Sequence, residues 1–136
     1  DVEEEKLECI LVPQGTLAER IRAGGTGLGG ILTPTGVGTI VAEGKQVINI
    51  GGKDYLLELP LRADFAFIRG SVTDKFGNTT YNGTTRNFNP LMAMAADHVI
   101  VGACEIVEVG EIDPNNVVTS GIFVDAIVGG EKPWQI

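Results

Sequence analysis

The chain has 136 residues, 43% of them apolar and 21% charged, which is the composition and length of one globular domain and excludes a collagen, a mucin-like stalk or a disordered acidic tail. Ten Lys plus Arg against eighteen Asp plus Glu give a formal net charge of −8, so there is no basic stripe for a phosphate polymer and no attraction to anionic lipid. No apolar run approaches the ~20 residues that span a bilayer, so neither nucleic acid nor membrane is an expected partner.

The opening Asp1-Val2-Glu3-Glu4-Glu5 lacks the positive and apolar regions of a secretory leader, and a cytoplasmic protein is expected. Leu7 to Val12 is a short apolar run closed by Pro13 and reads as a buried strand. Thr16-Leu17-Ala18-Glu19 has the letters of a capping box, and Gly24-Gly25 supplies a stop for a helix of about two turns. Gly24 to Gly38 holds seven glycines and a proline in fifteen residues, which predicts a backbone-rich loop lying against something else. Thr39 to Ala42 reads as a return to strand. Gln46 to Ile50 and Asp54 to Leu59 flank Gly51-Gly52-Lys53 and predict a hairpin.

Ala63 to Val72 reads as a mostly buried strand, Asp74 to Asn78 as a turn, and Thr79-Thr80-Tyr81 as a segment pairing back. Asn89 then reads as an N-cap with Pro90 at the first helical position, and Leu91 to Ala96 continues a helix. His98 to Ala103, Glu105 to Val109 and Gly121 to Val128 are Val/Ile-rich strand candidates, with a turn at Asp113 to Asn116. Helices between strands, joined by short loops, favour a single α/β domain with an open mixed sheet flanked by helices.

Gly25-x-Gly27-x-x-Gly30 matches the dinucleotide fingerprint by letters, but a helix precedes it and Thr-Pro-Thr-Gly follows, the wrong context for a Rossmann site. Its glycines serve either tight packing or, with Thr26, Thr33 and Thr35, the approach of bare amides to a carboxylate, thioester or phosphate. His98 has no visible Ser-His-Asp set and reads as a core or edge histidine. With one His and no CxxC, no metal site is expected, and Cys9 and Cys104 read as buried reduced thiols. Glu105, Glu108 and Glu111 read as a solvated rim. Met92 and Met94 read as core packing, and Arg86-Asn87-Phe88-Asn89-Pro90 as a capping cluster or an interface.

Val12-Pro13-Gln14-Gly15-Thr16-Leu17-Ala18-Glu19-Arg20-Ile21-Arg22-Ala23-Gly24-Gly25 resembles the alpha subunit of family I coenzyme A transferases. So do Leu32-Thr33-Pro34-Thr35-Gly36-Val37-Gly38-Thr39, Ala42-Glu43-Gly44-Lys45, Tyr55-Leu56-Leu57-Glu58, Ala63-Asp64-Phe65-Ala66, Arg86-Asn87-Phe88-Asn89-Pro90 and Val107-Glu108-Val109-Gly110-Glu111. The likeness runs in order through almost the whole chain and is closest to the short-chain type, butyrate–acetoacetate or acetate CoA-transferase. It implies transfer of CoA between an acyl-CoA and a carboxylic or keto acid through an enzyme acyl anhydride and a glutamyl thioester. CoA thioester is then a substrate, with no permanently bound cofactor.

The family's nucleophile lies in a Ser-Glu-Asn-Gly motif of the beta subunit. No Glu-Asn-Gly occurs here, so no catalytic residue is carried over and the chain alone is expected to be inactive. The resemblance implies a beta-subunit partner, a preceding N-terminal segment bearing a Gly-Gly-Phe motif that is absent here, and a heterotetramer. Gly25, Gly27, Gly30, Thr33, Thr35 and Gly36, with Asn87, Phe88 and Asn89, are the residues expected to face substrate or the subunit junction. The alternative is a non-catalytic scaffold or binding domain of the same superfold. A sugar-phosphate isomerase of related fold needs its own Lys and carboxylate base, and Lys45, Lys53 and Lys75 all sit by turn glycines.

Overall fold

A computed structural model describes residues 9–129. Helix α1 spans Gln14–Thr26; strands β1 (Ile31–Thr33), β2 (Val47–Ile50) and β3 (Lys53–Glu58) follow. Then come β4 (Ala63–Asp74), β5 (Thr79–Thr80), helix α2 (Asn89–Ala95), β6 (Ala96–Val107) and β7 (Ala126–Gly129). The strands form two sheets, one of three strands in the order β1-β3-β2 and one of four in the order β5-β4-β6-β7. The first is antiparallel throughout; in the second, β4, β6 and β7 are parallel and β5 is antiparallel to β4. An α/β domain with a mixed sheet is what the order of elements predicts, and α2 lies on the crossover between the parallel strands β4 and β6.

The predicted hairpin is present. Gly51 and Gly52 have φ of 60° and 82°, the left-handed pair a two-residue turn between twisted strands requires. The core follows strand alternation: Ala66 and Ile68 of β4 and Val99, Val101 and Ala103 of β6 are buried against Ala93 of α2, with Met92 packed alongside. The intervening residues Phe65 and Phe67 point to the other face, where they are 57% and 71% exposed.

Several expectations are corrected. Leu7 and Glu8 lie outside the described residues, and Cys9 to Val12 form no strand. α1 begins two residues before Thr16 because the Pro13 carbonyl accepts the Leu17 amide, so Thr16 is buried inside the first turn and caps nothing. Gly24 and Gly25 do not stop the helix; Gly27 does, with φ 72°. Ile40–Ala42 is a 3-10 turn instead of a strand, capped by Thr39, whose hydroxyl accepts the Val41 amide.

Asn89 is not an N-cap. Its Oδ1 accepts the Arg69 amide at 3.2 Å and its Nδ2 donates to the Thr85 carbonyl at 2.7 Å, so it supplies an acceptor at the edge of β4. The predicted strands His98 to Ala103 and Glu105 to Val109 are one, β6, as far as Val107, because the parallel ladder with β4 keeps one register on either side of Cys104. Gly121–Phe123 is a 3-10 turn, and of the predicted strand from Gly121 to Val128 only the last three residues pair, within β7, which runs on to Gly129. Asp113 to Asn116 turns as predicted, with Asp113 accepting the Asn115 amide. Cys9 and Cys104 are both exposed; strand alternation turns Cys104 away from the face that buries Ala103.

Candidate functional site

A cleft of about 530 Å³ opens between the start of α1 and the segment that follows it. Gly15, Thr16, Glu19 and Arg22 form one wall, at the helical spacing that puts them on one face. Ile31, Leu32 and Thr33 of β1 and Thr35 form the other. Thr33 Oγ1 accepts the Thr35 amide at 3.2 Å, which folds the Thr-Pro-Thr turn back at the cleft's rim. Arg22 Nε donates to Glu19 Oε2 at 2.8 Å, and its Nη2 lies 2.7 Å from the same oxygen as an ion pair. That hydrogen bond, then the charge of Glu19, holds the Arg22 pKa above its ordinary value, against the opposing effect of desolvation. Glu19 and Arg22 are both partly exposed, so this pair orients the guanidinium more than it stabilises the fold.

Of the sequence-predicted residues, only Thr33 and Thr35 line this cleft. Gly25 lies in α1, where a Cβ would sit 2.7 Å from Met94 Cβ of α2. Gly27 is the exposed left-handed residue that ends α1. A Cβ on Gly30 would meet the Glu58 carbonyl at 2.9 Å, and one on Gly36 would meet Val41 at 2.8 Å. The fingerprint letters are thus used for packing and for ending a helix, and a short strand follows where a phosphate-binding helix would have to start.

Asn87, Phe88 and Asn89 lie at the start of α2 and line no part of this cleft. The Phe88 carbonyl accepts the Leu91 and Met92 amides, and Asn87 is exposed. Thr16, Glu19 and Arg22 are cleft residues that the capping-box reading passed over. Their i, i+3, i+6 spacing on a helix is the signal that would have found them.

Other chemistry-bearing side chains are engaged elsewhere. His98 is exposed and lies against Phe65, ring centroids 5.1 Å apart. Lys45 is paired with Glu58 and Lys75 with Glu108, and Lys53 lies over the Tyr55 ring at 5.4 Å. Glu105, Glu108 and Glu111 are exposed, as a solvated rim requires. Among the described residues no group of three or more His, Cys, Asp or Glu is placed to hold a metal ion, and no helix is long and apolar enough to cross a membrane.

A profile of the family described as coenzyme A transferase matches residues 1–130. The chain belongs to the coenzyme A transferase family. It is 56% identical over 127 residues to the acetate CoA-transferase subunit alpha of Escherichia coli strain K12, covering 93% of this chain and 58% of that protein. It is 56% identical over 123 residues to the acetoacetyl-CoA:acetate/butyrate CoA transferase alpha subunit of Clostridium acetobutylicum, covering 90% of this chain and 56% of that one. The chain therefore spans a little over half the length of these relatives. In fold it matches a crystal structure of an acyl-CoA transferase from Escherichia coli O157:H7, described as a thioester complex with CoA, at a TM-score of 0.87 and 23% identity, covering 99% of this chain and 32% of that one.

Proposed function

We propose that this chain is part of the alpha component of a heteromeric CoA transferase that exchanges CoA between a short-chain acyl-CoA and a carboxylic or keto acid. The observation that carries this reading is the 56% identity to two alpha subunits over nine-tenths or more of the chain. In it the nucleophilic glutamate belongs to a beta subunit, and CoA thioester is a substrate. The carboxylates buried here support that division of labour. Glu58 is tied to Lys45 through Oε1, and Asp74 accepts from two backbone amides and the Asn78 side chain, so both carboxylates are engaged in holding the chain.

This chain's part is then shape. Thr33 and Thr35, with Thr16, Glu19 and Arg22, form the wall that positions substrate or meets the beta subunit, and Gly25, Gly27, Gly30 and Gly36 allow that wall its backbone path. Asn87, Phe88 and Asn89 form a second patch toward the subunit junction. The two relatives named for acetate and for acetoacetate/butyrate are equally identical to this chain, so identity does not choose the acyl group. A cytoplasmic heterotetramer completed by an N-terminal alpha segment is part of the same reading.

The test is to co-produce the protein with a CoA-transferase beta subunit, and with the N-terminal part of an alpha subunit, and to follow CoA exchange from acetyl-CoA and butyryl-CoA to acetoacetate. Exchange by the assembly and none by this chain alone is the expected result. A CoA or acyl adduct on a side chain of this chain overturns the assignment of the nucleophile. An assembled complex that stays inactive overturns the enzyme reading and favours a scaffold.

A further inference from the structure

Strand β3 alternates so that Leu56 and Glu58 share its buried face, at 0% and 2% exposure. A carboxylate therefore occupies a position where the pattern asks for an apolar side chain. The carboxylate is buried while Lys45 and Arg20 stay partly exposed, and the cost of desolvating it offsets much of its attraction to them, so the pairing adds little net stability even though removing Glu58 alone leaves their charges unmatched. What Glu58 does supply is a link between three segments. Its Oε1 accepts from Lys45 Nζ at 2.6 Å, fastening the turn at Gly44-Lys45. Its Oε2 lies 3.9 Å from Arg20 Nε of α1, and that Nε donates to the neighbouring Leu59 carbonyl at 2.8 Å. The Arg20 carbonyl accepts the Leu61 amide at 2.9 Å, and Arg62 Nη1 donates to the Gly24 carbonyl at 3.0 Å, so α1 is held to the segment that follows β3. On the other side Glu58 pairs with Ile31 of β1, and its carbonyl closes on Gly30.

α1 and β1 are the two walls of the candidate cleft, and β3 is the strand to which both are fixed. We propose that Glu58 is a positioning residue: its carboxylate, through Arg20 and Lys45, sets the separation and angle of the cleft walls that carry Thr16, Glu19, Arg22, Thr33 and Thr35. The inference rests on the CoA-transferase reading for its catalytic consequence, but the fixing of the walls is a property of this chain. A displacement of about 1 Å in groups that orient a substrate costs up to about 100-fold in rate. Loss of the tie acts on turnover in the fraction that stays folded.

The experiment compares parent, E58Q and E58M in the assembled alpha–beta enzyme. Gln keeps shape and an acceptor for Lys45; Met keeps volume and removes polarity. Assayed at a urea concentration and temperature at which the variant stays folded and assembled, E58M is expected to lose at least tenfold in kcat, with KM for acyl-CoA within about threefold. E58Q is expected to fall between the two. Amide exchange in 15–22 and 31–36 should rise at least tenfold in E58M while β4 and β6 stay protected. E58M with parental kcat overturns the proposal, as does loss of assembly in both variants, which makes Glu58 a structural support. A parent assembly without CoA exchange sinks the functional reading instead, and the amide-exchange comparison still decides whether Glu58 fixes the walls.

Discussion

Two junctions in this molecule are closed by opposite means. Where α1 meets α2 and the segment after β3, contact is made by side chains that are missing. A Cβ on Gly24 would lie 2.2 Å from the Leu61 carbonyl oxygen, and one on Gly25 would lie 2.7 Å from Met94 Cβ. Where β4 and β5 meet the 119–121 segment, contact is made by polar groups that are all matched. Thr73 and Thr79 are buried and share a hydroxyl hydrogen bond at 3.1 Å, and Tyr81 and Thr119 share another at 2.7 Å. Asp74 holds Phe76 and Asn78, and Asn78 accepts the Gly121 amide at 2.9 Å. The first junction fails when an atom is added and the second when a partner is removed.

The sharpest way to break the first is Gly24→Ala. Alanine is the better helix former by about 1 kcal/mol, and in an open helix the substitution would stabilise. Here the added methyl meets backbone, which cannot rotate away, and overpacking of this kind costs about 3 kcal/mol, the upper end of its usual range. The clash wins, and a net loss of about 2 kcal/mol is expected in urea unfolding of the protein, from about 3 kcal/mol of overpacking against about 1 of helix propensity. A neutral or stabilising result would show that α1 shifts freely along the Leu61–Arg62 segment.

For the second junction the corresponding change is Asp74→Asn. One carboxylate oxygen accepts two backbone amides and the other accepts the Asn78 side-chain amide at 2.8 Å. An asparagine turns one acceptor into a donor facing a donor, so a loss of about 2 kcal/mol is expected from a buried group left unsatisfied. Faster amide exchange at Gly121 should accompany it, because Asn78 carries the link to that residue. Unchanged protection at Gly121 would mean that the network is held from the Thr119 side alone. Gly27→Ala is the control for the first junction. Its Cβ meets open space at φ 72°, so only the left-handed backbone penalises it, by about 1.5 kcal/mol, less than the effect at Gly24.

This contrast also explains what could be read from the sequence. The polar junction was partly legible: Asp74 to Asn78 carries turn residues, and Thr79-Thr80 reads as pairing back, because those preferences are local. The glycine junction was not. Gly24-Gly25 has the letters of a helix stop, and only the neighbours Leu61 and Met94, distant in sequence, turn it into a packing surface. The candidate cleft divides the same way. Thr33 and Thr35 stand out because the Gly/Thr/Pro stretch is unusual in composition. Thr16, Glu19 and Arg22 are ordinary helix residues whose role depends on what α1 faces. Glu58 is hidden for a similar reason, since strand alternation marks its position as buried without saying that a charge can be matched there.

The smallest expected effect separates the two junctions by pH. Burial pushes the Tyr81 phenol above its ordinary value, and the hydrogen bond with Thr119 pulls it back only partly. In the unfolded chain the phenol ionises near its ordinary value of about 10. Above that pH the unfolded state binds fewer protons than the folded one, so stability falls as pH rises through the unfolded value toward the raised folded one. The contribution is fully present at neutral pH and is lost only in alkali. Tyr81→Phe should cost about 1 kcal/mol at neutral pH for the lost hydrogen bond. Its deficit against the parent should stay constant up to about pH 9 and shrink above about pH 10. Gly24→Ala, which changes no titratable group, should show a deficit independent of pH over the same range. Urea unfolding of both variants across that range is the measurement. A Tyr81→Phe deficit that holds its size in alkali would mean that the phenol is solvated in the folded state, and that the polar junction is looser than its hydrogen bonds imply.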